Sequence, residues 1–217
     1  MILSHAHRFI FLKTNKTAGT STEIALSKFC GPDDVITPIS PEDELLRGKL
    51  GFSAPQNYAC QRAGSEEVTF YNHMPAAEIR AAIDPAIWHG YFKFCVERNP
   101  WDRMVSLYYW RCRSEPRPSI QEFLDSDVPA DLKRRGSEIY TIDGKVVVDH
   151  IVRYENLDAE LEDIRLRLGI PERLVLPRAK SRFREGGRDY REILGQAERD
   201  AIAAMFSEEI TRFGYSF

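Results

Sequence analysis

Two short stretches of this chain collect the side chains best suited to hold a multiply charged oxyanion. The first, Phe9 to Ser21 (FIFLKTNKTAGTS), carries Lys13, Lys16, Thr17, Gly19, Thr20 and Ser21. Lysine brings positive charge on a mobile stem, the hydroxyls donate hydrogen bonds, and Gly19 lets backbone N–H groups approach a ligand closely. The second stretch, Phe92 to Trp110 (FKFCVERNPWDRMVSLYYW), carries Arg98 and Ser106. A guanidinium forked onto two phosphate oxygens, with a hydroxyl as a further donor, grips a single phosphate. Each stretch also has a plainer reading taken alone: an ordinary helix-capping turn for the first, and pairing of Arg98 with Glu97 or Asp102 for the second.

Both stretches demand the same supporting elements. Phe9 to Leu12 is a continuous apolar run, the pattern of a strand buried on both faces of a parallel sheet. Thr20 and Ser21 suit a helix N-cap, and Thr22 to Phe29 contains neither Gly nor Pro. The loop between them therefore delivers the chain to a helix N-terminus, where unpaired N–H groups and the macrodipole favour an anion. Tyr91 to Val96 reads as another buried strand, Asn99 as an N-cap and Pro100 as the first helical residue. Arg98 then lies at the carboxyl end of a strand, in the crevice where open α/β sheets bind ligands. The loop is no Walker A sequence, because its lysine precedes its glycine.

Together, KTAGTS at 16–21 and RNPWDRMVS at 98–106 resemble the 5′-phosphosulfate loop and the 3′-phosphate motif of sulfotransferases that use 3′-phosphoadenosine 5′-phosphosulfate (PAPS). The chain is most similar to the carbohydrate-type branch, sulfotransferase family 2-like, which includes the heparan and chondroitin O-sulfotransferases and small bacterial relatives. RYENL at 153–157 and the ending RFGYSF at 212–217 also look like the bacterial members, whereas 31–68 carries no recognisable likeness. The resemblance implies a P-loop-like three-layer α/β/α fold around a mainly parallel sheet. It also implies that Lys16, Thr17, Ala18, Gly19, Thr20 and Ser21 hold the 5′-phosphosulfate, and Arg98 and Ser106 the 3′-phosphate. Many relatives carry a proline where this chain has Asn15, and Lys13 adds a second cation; register favours Lys16 as the lysine on the leaving group.

Moving a sulfuryl group to a hydroxyl calls for a base, and histidine titrates in the right range. The candidates are His5, His7, His73, His89 and His150. TFYNHMPAAEIRAAI places His73 between an apolar run and a helix announced by Pro75, and relatives often carry a histidine in such a segment. His73 is therefore the expected base and Lys16 the expected stabiliser of the leaving group. Glu23 and Glu97 are alternative bases, each also readable as the partner of a nearby cation. From Arg178 to Arg191, six cationic side chains face only Glu185 and Asp189. This run reads either as a solvated loop or, by resemblance, as a lid in which Lys180, Ser181, Arg182 and Arg184 close over the nucleotide.

At 217 residues the chain is sized for one α/β domain, taken as 1–217. Its 43% hydrophobic and 29% charged residues are those of a soluble globular protein, and a net charge of −3 argues against nucleic-acid partners. No run is long and apolar enough to span a membrane, no export signal is visible, and the four cysteines are widely spaced. These features predict an intracellular enzyme with reduced thiols and no metal. The resemblance implies a bacterial cytoplasmic setting and an acceptor hydroxyl on a glycan or glycolipid. A P-loop nucleotide kinase or NTPase, or a nucleotide-binding module without activity, shares the strand–loop–helix and stands as the alternative.

Overall fold

The first strand begins at the second residue. In the computed structural model, which describes residues 1–61, 67–177 and 188–217, β1 (Ile2–Ser4) and β2 (Phe9–Phe11) pair antiparallel, with Ile2 opposite Phe11. The chain forms two compact units, Met1–Glu97 with Ser137–Ala179 and Arg98–Gly136 with Lys180–Phe217. In the first, β2 leads through a loop to α1 (Gly19–Ser27), then β3 (Val35–Ile36) and α2 (Pro41–Lys49). An antiparallel ribbon of β4 (Ala59–Gln61) and β5 (Glu67–Thr69) follows, then α3 (Ala76–Ala82), α4 (Pro85–Gly90) and β6 (Phe92–Glu97). The second unit opens with α5 (Pro100–Arg111), α6 (Ile120–Leu124) and α7 (Asp127–Glu138). The chain then supplies β7 (Thr141–Ile142), β8 (Lys145–Val146), β9 (His150–Arg153) and α8 (Leu157–Arg167) to the first unit. Helices α9 (Tyr190–Ile193), α10 (Gln196–Met205) and α11 (Ser207–Phe213) complete the second.

The central sheet has the order β3–β1–β2–β6–β9. Strands β2, β6 and β9 are parallel neighbours, while β1 runs against both β2 and β3, so the sheet is mainly parallel in direction. This is an α/β architecture. Phe9, Ile10, Phe11 and Leu12 are each at most 1% exposed, as the apolar run predicts for a central strand. Phe9, Phe11, Phe94, Val96 and Val152 form one core with Ala25 and Leu26 of α1 and Leu161 and Ile164 of α8. Full burial of each large side chain contributes about 1.5–3 kcal/mol, enough to set the register of β2 against β6 and α1. The second unit has its own core, in which Trp101, Met104, Val105 and Tyr108 of α5 meet Ile202 and Phe206.

The local signals predicted several boundaries and missed others. Asn99 caps α5, its side chain accepting the Trp101 N–H at 3.1 Å, and Pro100 is the first helical residue. Asp143 and Gly144 turn the β7–β8 hairpin with φ of 51° and 72°, the handedness a two-residue turn requires. Helix α1, however, starts at Gly19 behind Ala18, so Thr20 and Ser21 sit inside its first turn and do not cap it. The C-terminal helices α10 and α11 meet at Phe206, and at the other end of the chain Met1, Ile2 and Leu3 are buried.

Candidate anion and proton-transfer site

The loop after β2 is tied to the neighbouring strand. The Leu12 N–H donates to the Phe94 carbonyl at 2.9 Å, and the Thr14 hydroxyl donates to the carbonyl of Val96. Thr17, fully buried, shares a 2.7 Å hydrogen bond between its hydroxyl and that of Thr14. Lys16 and Ala18 take left-handed backbone conformations, with φ of 64° and 61°. A non-glycine residue there costs about 1–2 kcal/mol, so the loop holds two strained positions in three residues. Ala18 is the N-cap of α1 and offers no side-chain acceptor, and the first turn contains no acidic residue. An anion would find at this helix N-terminus the positive dipole end and no competing carboxylate.

The two lysines of the loop have different surroundings. Lys13 is 2% exposed and its ammonium lies 2.9 Å from Glu23 Oε2, whereas Lys16 is half-buried. A Cβ on Gly19 would stand 2.7 Å from Lys13 Cγ and 3.1 Å from the Thr14 carbonyl oxygen, so the glycine lets α1 seat directly on the Lys13 stem. Glu23, fully buried, also lies 3.5 Å from Arg47 of α2 and 3.5 Å from the Met1 amino group, and accepts from the Thr37 hydroxyl at 3.2 Å. Burial works to raise the pKa of this carboxyl, but the Met1 amine, Lys13 and Arg47 together hold it below the ordinary range. The cation-partner reading of Glu23 is the one the geometry bears out.

His73 is hydrogen-bonded to this loop. It sits after β5 and before α3, with φ of 63°, and its Nδ1 lies 2.8 Å from the Lys13 carbonyl oxygen. A carbonyl only accepts, so Nδ1 carries the proton and Nε2 of the neutral ring keeps its lone pair. Burial, followed by the charge of Lys13, lowers its pKa to about 3. The unfolded chain therefore binds a proton at this residue that the folded chain refuses, and stability falls as pH drops below about 6.5. The expected loss from this group is about 2 kcal/mol between about pH 6.5 and 5. Chemical denaturation of wild type and His73→Gln checks it: the difference between the two should shrink toward acid pH.

The other histidines are placed differently. His5 Nδ1 bonds the Tyr91 hydroxyl at 2.8 Å, His7 Nδ1 the Leu168 carbonyl at 3.3 Å, and His150 Nε2 lies 3.2 Å from Glu160. His89 is exposed, while its neighbour Trp88 is buried.

The first unit thus brings together Lys16, Thr17, Ala18, Gly19, Thr20, Ser21 and His73, while Arg98 and Ser106 belong to the second. Arg98 donates from Nε and Nη2 to Asp102 Oδ2 at 2.8 and 2.6 Å, which is the ion pair foreseen as its plain reading. Ser106 is half-buried one further turn along α5. Lys180, Ser181, Arg182 and Arg184, expected to form a lid, lie outside the described residues. Sequence reasoning missed the Lys13–Glu23–Arg47 network; the one signal was a charge at 13 directly after an apolar run, since Glu23 shows itself as a buried helix residue only in the fold.

Residues 1–140 match the model of the sulfotransferase family. The chain belongs to that family. An Archaeoglobus fulgidus protein, named only as uncharacterized, is 36% identical to this sulfotransferase over 104 residues, 46% of this chain and 87% of its own length. No solved structure matches. The family match contains the loop, His73 and the Arg98–Ser106 segment, and ends near α7. Among the described residues no helix is long and apolar enough to cross a membrane, and no group of three or more His, Cys, Asp or Glu side chains is arranged to hold a metal ion.

Proposed function

We propose that this protein is a PAPS-dependent O-sulfotransferase whose 217 residues act as one domain of P-loop-like, three-layer design in a bacterial cytoplasm. The observation that carries the reading is the hydrogen bond from His73 Nδ1 to the Lys13 carbonyl, because it presents a neutral Nε2 from a ring anchored to the anion loop itself. The donor supplies an activated sulfuryl group. Fit to such a donor is supported by the uncapped N-terminus of α1, its first turn free of carboxylates, and the left-handed backbone at Lys16 and Ala18.

In this reading His73 Nε2 takes the proton of the acceptor hydroxyl as that oxygen attacks sulfur. Lys16 and the first N–H groups of α1 stabilise charge on the departing 5′-phosphate and on the sulfuryl oxygens. Thr17 contributes its backbone, since its hydroxyl is engaged with Thr14, while the Thr20 and Ser21 hydroxyls add donors. Arg98 and Ser106 hold the 3′-phosphate, for which the Arg98 fork must be shared with or released from Asp102. The acceptor is a hydroxyl of a glycan or glycolipid.

Transfer of labelled sulfate from PAPS to a panel of saccharides, glycolipids and phenols tests the reaction. Calorimetry with the product 3′-phosphoadenosine 5′-phosphate tests the site. Arg98→Ala is expected to weaken nucleotide binding about 10- to 100-fold, the worth of a lost charged hydrogen-bonding fork. Tight magnesium-dependent ATP binding, with no affinity for 3′-phosphoadenosine 5′-phosphate, would instead identify a kinase or NTPase.

A further inference from the structure

Resting on the reading of His73 as the base, we propose that Glu23 is a positioning residue of the sulfotransferase site, acting through Lys13: it clamps the Lys13 side chain beneath α1 so that the Lys13 carbonyl holds His73 in the Nδ1–H tautomer. Three contacts form the chain of action. Glu23 Oε2 stands 2.9 Å from Lys13 Nζ, the Lys13 stem is pinned under Gly19, and the Lys13 carbonyl accepts from His73 at 2.8 Å. Lys13 and Glu23 are at most 2% exposed, so solvent cannot take over the task of either. The loop between β2 and α1 is thereby tied at one end to a carboxylate inside α1 and at the other to the ring that faces the reaction.

The surrounding charges set what each substitution does. Around Glu23 stand Lys13 from the loop, Arg47 from α2 and the amino group of Met1 before β1, with the Thr37 hydroxyl as a donor; Glu44 pairs with Arg47 at 3.2 Å. The charged groups acting on His73 are Lys13, the Met1 amine and Glu23. Loss of the Glu23 charge leaves the Lys13 and Arg47 charges without the carboxylate they share, and Lys13 then has reason to leave its place. Loss of the Lys13 charge leaves Glu23 still paired with Arg47 and still accepting from Thr37, so Lys13→Met is the milder change and cuts the link to His73. The two substitutions act on one chain of contacts and so should not add.

The experiment uses full-length protein with 15N-labelled histidine rings. In wild type the His73 signal should report a neutral ring protonated at Nδ1 from about pH 5 upward. Glu23→Gln and Lys13→Met should each give a mixture of tautomers and a kcat lowered about 10- to 100-fold, with 3′-phosphoadenosine 5′-phosphate affinity held within about threefold. The Lys13→Met/Glu23→Gln double variant should be no slower than the slower single variant, and Glu23→Asp should restore part of kcat. A His73 signal unchanged in Lys13→Met, with sulfuryl transfer intact, overturns the positioning role and leaves the proposed function standing. Disturbed tautomers in a protein that transfers no sulfate to any acceptor overturn the proposed function instead. Should Glu23→Gln fail to fold, Lys13→Met alone decides.

Discussion

Replacing His73 with alanine is expected to slow sulfuryl transfer by about 10²- to 10⁴-fold, the span attributed to a positioned general base. Nucleotide affinity should stay within about threefold, because Lys13 keeps its carbonyl position through Glu23 and Gly19 whether or not the ring is present. The pH dependence separates this role from a structural one. In the free protein His73 is held near a pKa of about 3 by burial and by Lys13. Its neutral form is therefore fully populated at neutral pH, and kcat/KM should show no acidic limb with a midpoint near the ordinary histidine value. An anion held in the loop would raise that value, since an opposite charge within reach favours the protonated ring. The acidic limb of kcat should accordingly lie at higher pH than that of kcat/KM. A fully active alanine variant, or a kcat/KM limb near 6.5 that survives it, removes His73 as the base.

Lys16→Ala is the second large effect, with an expected loss of about 10²- to 10³-fold in kcat, the cost of removing one preorganised charge from a developing oxyanion. Lys16 should be separable from Lys13 by stability. Lys16 is half-buried at a left-handed position, so alanine there removes a partly solvated charge, and the melting temperature should move less than it does in Lys13→Ala. Lys13 is buried against Glu23, and its loss touches a network of charges in the core. If Lys16→Ala keeps full turnover while Lys13→Ala loses it, the assignment of the leaving-group lysine is reversed.

Much of the scaffold around these residues was readable before any coordinates. The apolar run at Phe9–Leu12 marks a central strand because only a strand buried on both faces has no polar side to show, and Tyr91–Val96, broken only by Lys93, reads as its neighbour. Asn99 and Pro100 mark the start of α5 because a cap and a fixed φ act within a few residues. The N-cap of α1 was misread for the same reason in reverse. Thr20 and Ser21 have capping chemistry, but Ala18 adopts the left-handed turn, and the helix begins one residue earlier than the first hydroxyl. Strand β1 escaped notice because the three residues Ile2–Ser4 are too short a signal, and only pairing with β2 and β3 makes them a strand.

The sequence by itself determined the chemistry at hand: a lysine- and hydroxyl-bearing loop entering a helix, an arginine after a second strand, and a histidine before a third helix. Those are properties of residue type and short spacing, and local backbone preferences express them. Only the tertiary structure decided that Lys13 is the lysine buried against Glu23, and which nitrogen of His73 carries the proton. Both depend on atoms many positions apart in the chain, Lys13 with Glu23 and Lys13 with His73. Burial makes those contacts strong, because a charge or ring removed from water must find its partner inside the fold.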